Sequence, residues 1–147
     1  MDLATQAVAL RLTRHYPHPR EKVFRAWVDA QALKRWFLPT DAHRCTAAEI
    51  DPRVGGRYRI VVQSPDGEQH SVSGVYREID APSKLVFTWV WQNKPEAESL
   101  VTIELREQPG GTELILTHER LPDADSRARH EHGWSGCLDH LGTMGLR

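Results

Sequence analysis

Residues 74–89 have the sequence GVYREIDAPSKLVFTW, which is typical of two strands joined by a tight turn at residues 80–83. The second strand has aromatic side chains on one face and small β-branched side chains on the other. They are Phe87, Trp89 and Trp91 on the first face, and Val86, Thr88 and Val90 on the second. A strand with apolar groups on both faces is covered on both, or it lines an enclosed space. We therefore expect the aromatic face to help build an interior pocket.

The composition is that of a globular protein, with 27% charged and 39% hydrophobic residues. A chain of 147 residues is long enough to build a core of its own, so we expect residues 1–147 to form a single domain. The formal net charge of -1 argues against a nucleic-acid partner, because nonspecific binding to phosphates requires a basic surface.

Targeting and cofactor signals do not occur in the sequence. No apolar run approaches the ~20 residues that cross a bilayer, and the start of the chain lacks the pattern of a signal peptide. We therefore expect no membrane span and a cytoplasmic location.

Cys45 and Cys137 match no metal-ribbon spacing, so they should be reduced and buried. Because no phosphate loop, nucleophile elbow or zinc-protease motif occurs, we expect no cofactor.

The first part of the chain is predicted to form one strand and two short helices. Apolar and polar residues alternate over roughly residues 7–16, which predicts a strand. Pro19 fits the first position of a helix, where its missing N–H is not needed. Asp29 can cap a second helix, which Pro39 closes. The apolar residues of the two helices recur at helical spacing and are Val23, Phe24, Trp27 and Val28, followed by Leu33, Trp36 and Phe37.

The rest of the chain is predicted to form six strands and one long helix. The strands span residues 45–51, 57–63, 70–79, 85–92, 100–106 and 113–118. The helix, with Asp123 or Asp125 as its cap, should fray near Gly145. Its apolar face consists of Trp134, Cys137, Leu138 and Leu141. Short turns make consecutive strands antiparallel, and a sheet covered by one long helix gives a two-layer α+β fold. A sheet that curls around the helix can leave a cavity.

Several segments, taken in order, carry a resemblance to a known family. They are residues 19–27 (PREKVFRAW), 33–37 (LKRWF), 51–58 (DPRVGGRY), 74–89 and 110–114 (GGTEL), with His118 and then Gly133 and Trp134 before Leu138 and Leu141. On these residues the chain resembles the bacterial proteins related to the activator of heat-shock-protein-90 ATPase, in the START-like, birch-allergen-like superfamily (SRPBCC). The resemblance implies the helix-grip fold, a curved antiparallel sheet wrapped around a long C-terminal helix, with two short helices after strand 1.

The resemblance also carries expectations about partners. The superfamily holds lipids, steroids, polyketides and aromatic compounds, and some members catalyse cyclisation or dehydration. A hydrophobic small molecule, held between the sheet and the C-terminal helix, is therefore the expected partner. Eukaryotic co-chaperones of this kind carry a further N-terminal domain that binds the chaperone, whereas this chain begins with its first strand. We therefore do not expect a chaperone partner. Whether the chain forms a homodimer is left open by the sequence.

The predicted ligand-binding residues are aromatic side chains near the cavity and two histidines. They are Trp36, Phe37, Tyr76, Phe87, Trp89, Trp91, His118, His130 and Trp134. His118 is also a candidate for acid–base catalysis, because it lies in phase with Leu114 and Leu116 and should lean toward the core. The alternative interpretation of His118 is a core histidine bonded to a backbone carbonyl.

Four residues near the end of the chain carry groups that suit a metal, namely His118, His130, Glu131 and His132. His130 and His132 are two residues apart, so on a helix they point to nearly opposite sides. We therefore expect no metal site, a half-buried His130 near a mouth of the cavity, and His132 on the surface.

Gly133 and Gly136 weaken the helix. We therefore expect them to lie where the helix passes close to another backbone, or where a larger side chain would close the pocket.

Three functions follow from these observations. The aromatic strand favours a binding module for an apolar small molecule. A cyclase- or dehydratase-type enzyme would use His118 or a pocket carboxylate as acid or base. An interaction module related to the chaperone activators would instead have a filled core and a large exposed apolar patch. A purely apolar cavity favours binding, whereas two or more converging titratable groups favour the enzyme.

Overall fold

The structure, a computed structural model, describes residues 8–144. Within these residues, strands and helices follow one another in the order that the sequence predicts. They are β1 (Val8–Tyr16), α1 (Arg20–Val28), α2 (Ala30–Trp36), β2 (Arg44–Ile50), β3 (Arg57–Gln63), β4 (Gln69–Asp80), β5 (Lys84–Trp91), β6 (Ser99–Gln108), β7 (Gly111–Leu121) and α3 (Ala124–Thr143). The first strand is thus separated from the other six by the two short helices.

The strands form one antiparallel sheet in the order β1-β7-β6-β5-β4-β3-β2. The two helices after β1 carry the chain to the far edge, where β2 begins, and the later strands return in sequence until β7 pairs with β1. Register shifts in the β1–β7, β2–β3 and β4–β5 pairs bend the sheet. The predicted α+β helix-grip fold, a curved sheet around a long C-terminal helix, is confirmed.

The core lies between the concave face of the sheet and the helices. Leu10, Ile103 and Leu116 enter it from three strands, and Leu138 and Leu141 enter it from α3. Each of these side chains is at most 2% exposed. Alternate residues of each strand face the helices because successive side chains point to opposite sides of a sheet. Burial of these side chains is the main stabilising contribution to the fold.

The helix α3 is fixed at its start and along its apolar face. Asp123 caps it, since the Asp123 carboxylate accepts the Ser126 N–H at 2.7 Å. All four residues of the predicted apolar face are buried, namely Trp134, Cys137, Leu138 and Leu141. Tyr16, at the end of β1, donates its hydroxyl proton to the Leu138 carbonyl at 2.8 Å. The prediction that this face packs on the sheet is therefore confirmed.

Both faces of β5 are covered, as its sequence predicts. Phe87 and Trp89 are buried on the concave face, and Thr88 is buried on the outer face. The Thr88 hydroxyl accepts the Val75 N–H at 2.8 Å, and the Thr88 carbonyl accepts the Tyr58 hydroxyl proton. These contacts lie close to the register shift between β4 and β5. Side chains thus satisfy backbone groups near the bend of the sheet.

Most strand ends lie within two residues of the expected ones, and the largest difference is at the end of β7. β7 extends to Leu121 rather than ending at residue 118, because β1 pairs along it as far as Val8. Pro19 is the N-cap of α1 rather than its first residue. Asp29 caps α2, as predicted. The fraying expected near Gly145 falls outside the described residues.

Both cysteines are expected to be reduced and buried, and burial is complete for only one of them. Cys45 is half-buried and Cys137 is buried, and neither forms a disulfide. Burial raises the pKa of the Cys137 thiol, so this thiol stays protonated at neutral pH.

Among residues 8–144, no helix combines the length and the apolar character that a membrane crossing needs.

Candidate functional site

Aromatic side chains fill most of the space between the sheet and α3. The rings of Trp27 and Trp36, from α1 and α2, meet edge to face with centroids 4.6 Å apart. The inner cavity that remains between these helices and the sheet has a volume of about 20 Å³, which is room for about one water molecule. Its walls include Trp27, Trp36, Tyr58, Tyr76 and Phe87, together with Phe37, Trp89 and Trp134. The predicted space beneath the helix is thus narrow.

A larger space opens between α3, β5 and the loop after α2. This cleft has a volume of about 430 Å³, which lies within the range of small-molecule sites. Its aromatic side consists of Phe37, Trp89, Trp91 and Trp134. Its polar rim consists of Thr40, His43, His70, Arg129, His130 and His132, and Pro39, Gly133 and Cys137 complete the lining. The cleft therefore combines an aromatic side with a polar edge.

Three aromatic side chains, Phe37, Trp89 and Trp134, line both the cleft and the inner cavity. Phe37 lies 6.0 Å from Trp89 and 5.6 Å from Trp134, measured between ring centroids. The Trp89 and Trp134 centroids are 4.9 Å apart. We call these three rings the aromatic wall. A molecule in the cleft would contact the same rings that close the core.

His118 lies behind the aromatic wall, is fully buried, and lines neither space. The Trp134 indole N–H donates to His118 Nδ1 at 3.0 Å. Because Nδ1 accepts, Nε2 carries the ring proton and donates to the Ser99 hydroxyl at 2.7 Å. Burial, with a smaller contribution from His130, lowers the pKa of His118 to about 3. His118 is a neutral core residue whose partners are an indole and a hydroxyl rather than the expected backbone carbonyl.

His130 is half-buried and lines the cleft. The Trp91 indole N–H donates to His130 Nε2 at 3.0 Å, so the ring proton resides on Nδ1 and is donated to the Ser126 carbonyl at 2.7 Å. Burial lowers the pKa of His130; the Ser126 carbonyl opposes this shift and the Arg129 charge adds to it. Both ring nitrogens are therefore engaged within the protein.

The opposite side of the rim is formed by His43 and His70. His43 Nδ1 and the Thr40 hydroxyl are hydrogen-bonded at 2.6 Å. Burial and the neighbouring His70 lower the pKa of His43, whereas the nearby Asp66 carboxylate raises it. Among residues 8–144, no group of three histidine, cysteine or carboxylate side chains is arranged to hold a metal ion.

The loop after α2 is held tightly against α3. At Gly136 a Cβ atom would lie 1.8 Å from the Pro39 carbonyl oxygen, so a larger residue requires the loop to move. One turn later, His140 donates from Nδ1 to the Leu38 carbonyl at 2.8 Å and from Nε2 to the Asp41 carboxylate at 2.7 Å. Partial burial opposes protonation of His140, but these acceptors outweigh it and raise its pKa. These contacts fix one side of the cleft.

Gly133 differs from Gly136, although both lie in α3. No atom lies within 4 Å of a Cβ built at Gly133, and this residue lines the cleft. The two alternatives expected for the helix glycines are thus both found. Gly136 lies at a close backbone approach, and Gly133 lies where a side chain would occupy the open cleft.

The family comparison covers nearly all of the described chain. Residues 17–144 match the family described as Activator of Hsp90 ATPase homolog 1-like protein. The chain belongs to this family. The resemblance predicted from the sequence is therefore confirmed. Among proteins with curated descriptions, none matches the chain.

Solved structures of bacterial proteins have the same fold as this family member. A Chromobacterium violaceum protein is 30% identical with a TM-score of 0.83, and the match covers 91% of this chain and 94% of that chain. A Silicibacter pomeroyi member of the family is 30% identical with a TM-score of 0.81, over 92% of this chain and 95% of that chain. An Aeromonas hydrophila member is 25% identical with a TM-score of 0.74, over 92% and 90%.

In this family member, the predicted ligand-binding residues fall into three places. Those that line the cleft are Phe37, Trp89, Trp91, His130 and Trp134. Those that line the inner cavity without reaching the cleft are Trp36, Tyr76 and Phe87. His118 lies in neither space. The Trp36 indole N–H is bonded to the Ala26 carbonyl at 2.9 Å, so this donor is already used.

Of the polar rim, the sequence predicts only His130 as a ligand-binding residue. The missed residues are Pro39, Thr40, His43, His70 and Arg129, with His132 expected only as a surface residue. They come from a loop, from β4 and from α3, and no periodic pattern links them. The one available signal was the number of histidines, 8 in 147 residues, of which four lie in this cleft.

Proposed function

We propose that this protein binds a mostly apolar small molecule in the cleft, with the flat part of the molecule against the aromatic wall. The observation that carries this proposal is the cleft itself, whose volume of about 430 Å³ is bounded on one side by aromatic rings. Sites for small molecules combine apolar walls with a few polar groups, and this cleft has both. The aromatic rings would supply apolar contact surface and exclude water.

Two buried donors without partners support a guest with an acceptor atom. Within the described part of the chain, the indole N–H groups of Trp27 and Trp89 have no hydrogen-bond partner. Trp89 belongs to the aromatic wall, and both residues line the inner cavity. A buried donor without a partner costs about 1–3 kcal/mol, so a bound acceptor would relieve this cost. The aromatic wall separates the cleft from the inner cavity, so a guest that pushed one of its rings aside would join the two spaces.

The engaged rings of His118 and His130 leave neither histidine free for acid–base catalysis, so the enzyme alternative would depend on His43, His70 and His132 at the rim of the cleft. Every ring nitrogen of His118 and His130 already has a partner, and both rings are neutral at physiological pH. Of the residues described, no carboxylate side chain lines the cleft or the inner cavity. Among residues 8–144, the exposed large hydrophobic side chain is that of Val54, in the turn between β2 and β3, and one such residue gives no support to a wide docking patch.

A substitution at Gly133 tests the proposal. N-phenylnaphthylamine, an uncharged dye that fluoresces in apolar surroundings, should bind the wild-type protein. Gly133→Leu should weaken this binding about tenfold or more, equivalent to about 1.4 kcal/mol, because the new side chain occupies the cleft. The measurement is a fluorescence titration at a temperature where circular dichroism shows both proteins folded.

Gly133→Ala is the matched control, because it adds only a methyl group at the same position and should leave the dye affinity within about threefold of wild type, or about 0.6 kcal/mol. A folded Gly133→Leu variant with the wild-type affinity would place the dye elsewhere and contradict the proposal. The same conclusion would follow if the wild-type protein did not bind the dye at all.

A further inference from the structure

The charge of the cleft is one-sided. Its lining contains one guanidinium, that of Arg129, and four imidazoles, but no carboxylate among the residues described. The whole chain, in contrast, has 20 acidic and 19 basic side chains. A cleft lined by one sign of charge raises the local concentration of ligands of the opposite sign.

Arg129 is the fixed positive charge of this lining. Neighbouring arginines are neutralised by carboxylates: Arg127 pairs with Glu131 at 3.5 Å on the same helix, and Arg14 pairs with Asp139 at 3.3 Å. Within residues 8–144, no carboxylate oxygen lies within ion-pair distance of Arg129. Its guanidinium is therefore free to bind an oxyanion, which an arginine can hold with two parallel N–H groups.

The two sides of the rim differ in charge. On the side of His43 and His70, the Asp66 carboxylate lies close enough to affect the protonation of His43. An anion placed there would meet this negative charge. On the α3 side, the neighbouring Glu131 carboxylate is paired with Arg127 at 3.5 Å and does not line the cleft. The anion-binding end of the cleft is therefore the α3 side.

The aromatic wall and Arg129 together define the shape of the ligand. The wall supplies apolar ring surface at the inner end of the cleft, and Arg129 supplies a cation at the α3 rim. We infer that the ligand is an aromatic organic anion, whose ring lies on the aromatic wall and whose carboxylate- or sulfonate-type group pairs with Arg129. This inference rests on the proposed binding function and adds the charge of the ligand to it.

Two dyes that differ by one charged group separate this inference from the proposed function. Anilinonaphthalene sulfonate has the ring skeleton of N-phenylnaphthylamine and carries a sulfonate in addition. Arg129→Gln should weaken binding of the sulfonate dye about three- to fivefold, since exposed charge pairs contribute up to about 1 kcal/mol. It should leave the affinity for the uncharged dye unchanged. The difference should shrink as salt is raised, because the pair is exposed to solvent.

Arg11→Gln is the matched control. Arg11 is exposed on the outer face of β1, away from the cleft, and its replacement changes the net charge by the same amount. Arg11→Gln should not alter binding of either dye. If Arg129→Gln changed the affinity for both dyes equally, or if both variants weakened the sulfonate dye equally, the anion inference would be overturned. Binding of the uncharged dye would then still support the proposed function, whereas no binding of that dye would contradict it.

Discussion

Replacing Trp89 with alanine should lower the free energy of unfolding by about 3–5 kcal/mol, because truncation of a buried tryptophan leaves a large cavity. Trp89 is 3% exposed and lies at the centre of the aromatic cluster. Its ring is within 6.5 Å of those of Phe37, Phe87, Trp91, His118, His130 and Trp134, measured between centroids. The measurement is the midpoint and slope of chemical denaturation. The variant should also lose dye binding, since Trp89 belongs to the aromatic wall.

Trp91→Ala provides the comparison, since it removes the same side chain from the same strand. Trp91 is only half-buried, so its loss should cost clearly less than that of Trp89. If Trp89→Ala reduced the unfolding free energy by less than about 1 kcal/mol, the side chain would not be buried as described. The assignment of the inward face of β5 would then fail.

The second large effect is expected at Gly136. Gly136→Ala should lower the unfolding free energy by about 1–3 kcal/mol or more, because the added methyl group would collide with the Pro39 carbonyl. Alanine is the better helix former by about 1 kcal/mol, so without the collision the variant would be stabilised. The sign of the change therefore reports the contact between α3 and the loop after α2. Thermal and chemical unfolding both measure it.

Gly133→Ala is the control in the same helix. No atom lies within 4 Å of its new methyl group, so the change should raise the unfolding free energy by up to about 1 kcal/mol. Opposite signs at the two glycines are the expected result. Stabilisation by both substitutions would show that the loop is not packed against Gly136, and that the side of the cleft formed by this loop is not fixed.

The fold could be predicted because its signals are local and periodic. Trp134, Cys137 and Leu138 recur at helical spacing, and all are buried where α3 meets the sheet. Phe87 and Trp89 alternate with Thr88 along one strand, and all three are buried as predicted. Short turns between consecutive strands also predict that neighbouring strands are antiparallel. These features depend on residues close together in the chain.

The candidate site could be predicted only on its aromatic side. His43, His70 and Arg129 meet across the cleft, although they are far apart in sequence. Sequence spacing carries no information on such contacts unless the packing of α3 is known. The partners of His118 were also hidden, because Ser99 and Trp134 reach it from two different elements. The division of space into a narrow inner cavity and an open cleft depends on side-chain packing, which no periodic pattern encodes.

The central claim, that the cleft is the binding site, is tested most directly by nuclear magnetic resonance. The chain has 5 tryptophans, whose indole N–H signals can be followed while N-phenylnaphthylamine is added to the isotope-labelled wild-type protein. The indole signals of Trp89, Trp91 and Trp134 and the backbone signal of Gly133 should move most, because these residues line the cleft. Signals of residues on the outer face of the sheet, such as Arg11, should stay in place. Movement confined to the outer face, with the cleft signals unchanged, would contradict the account.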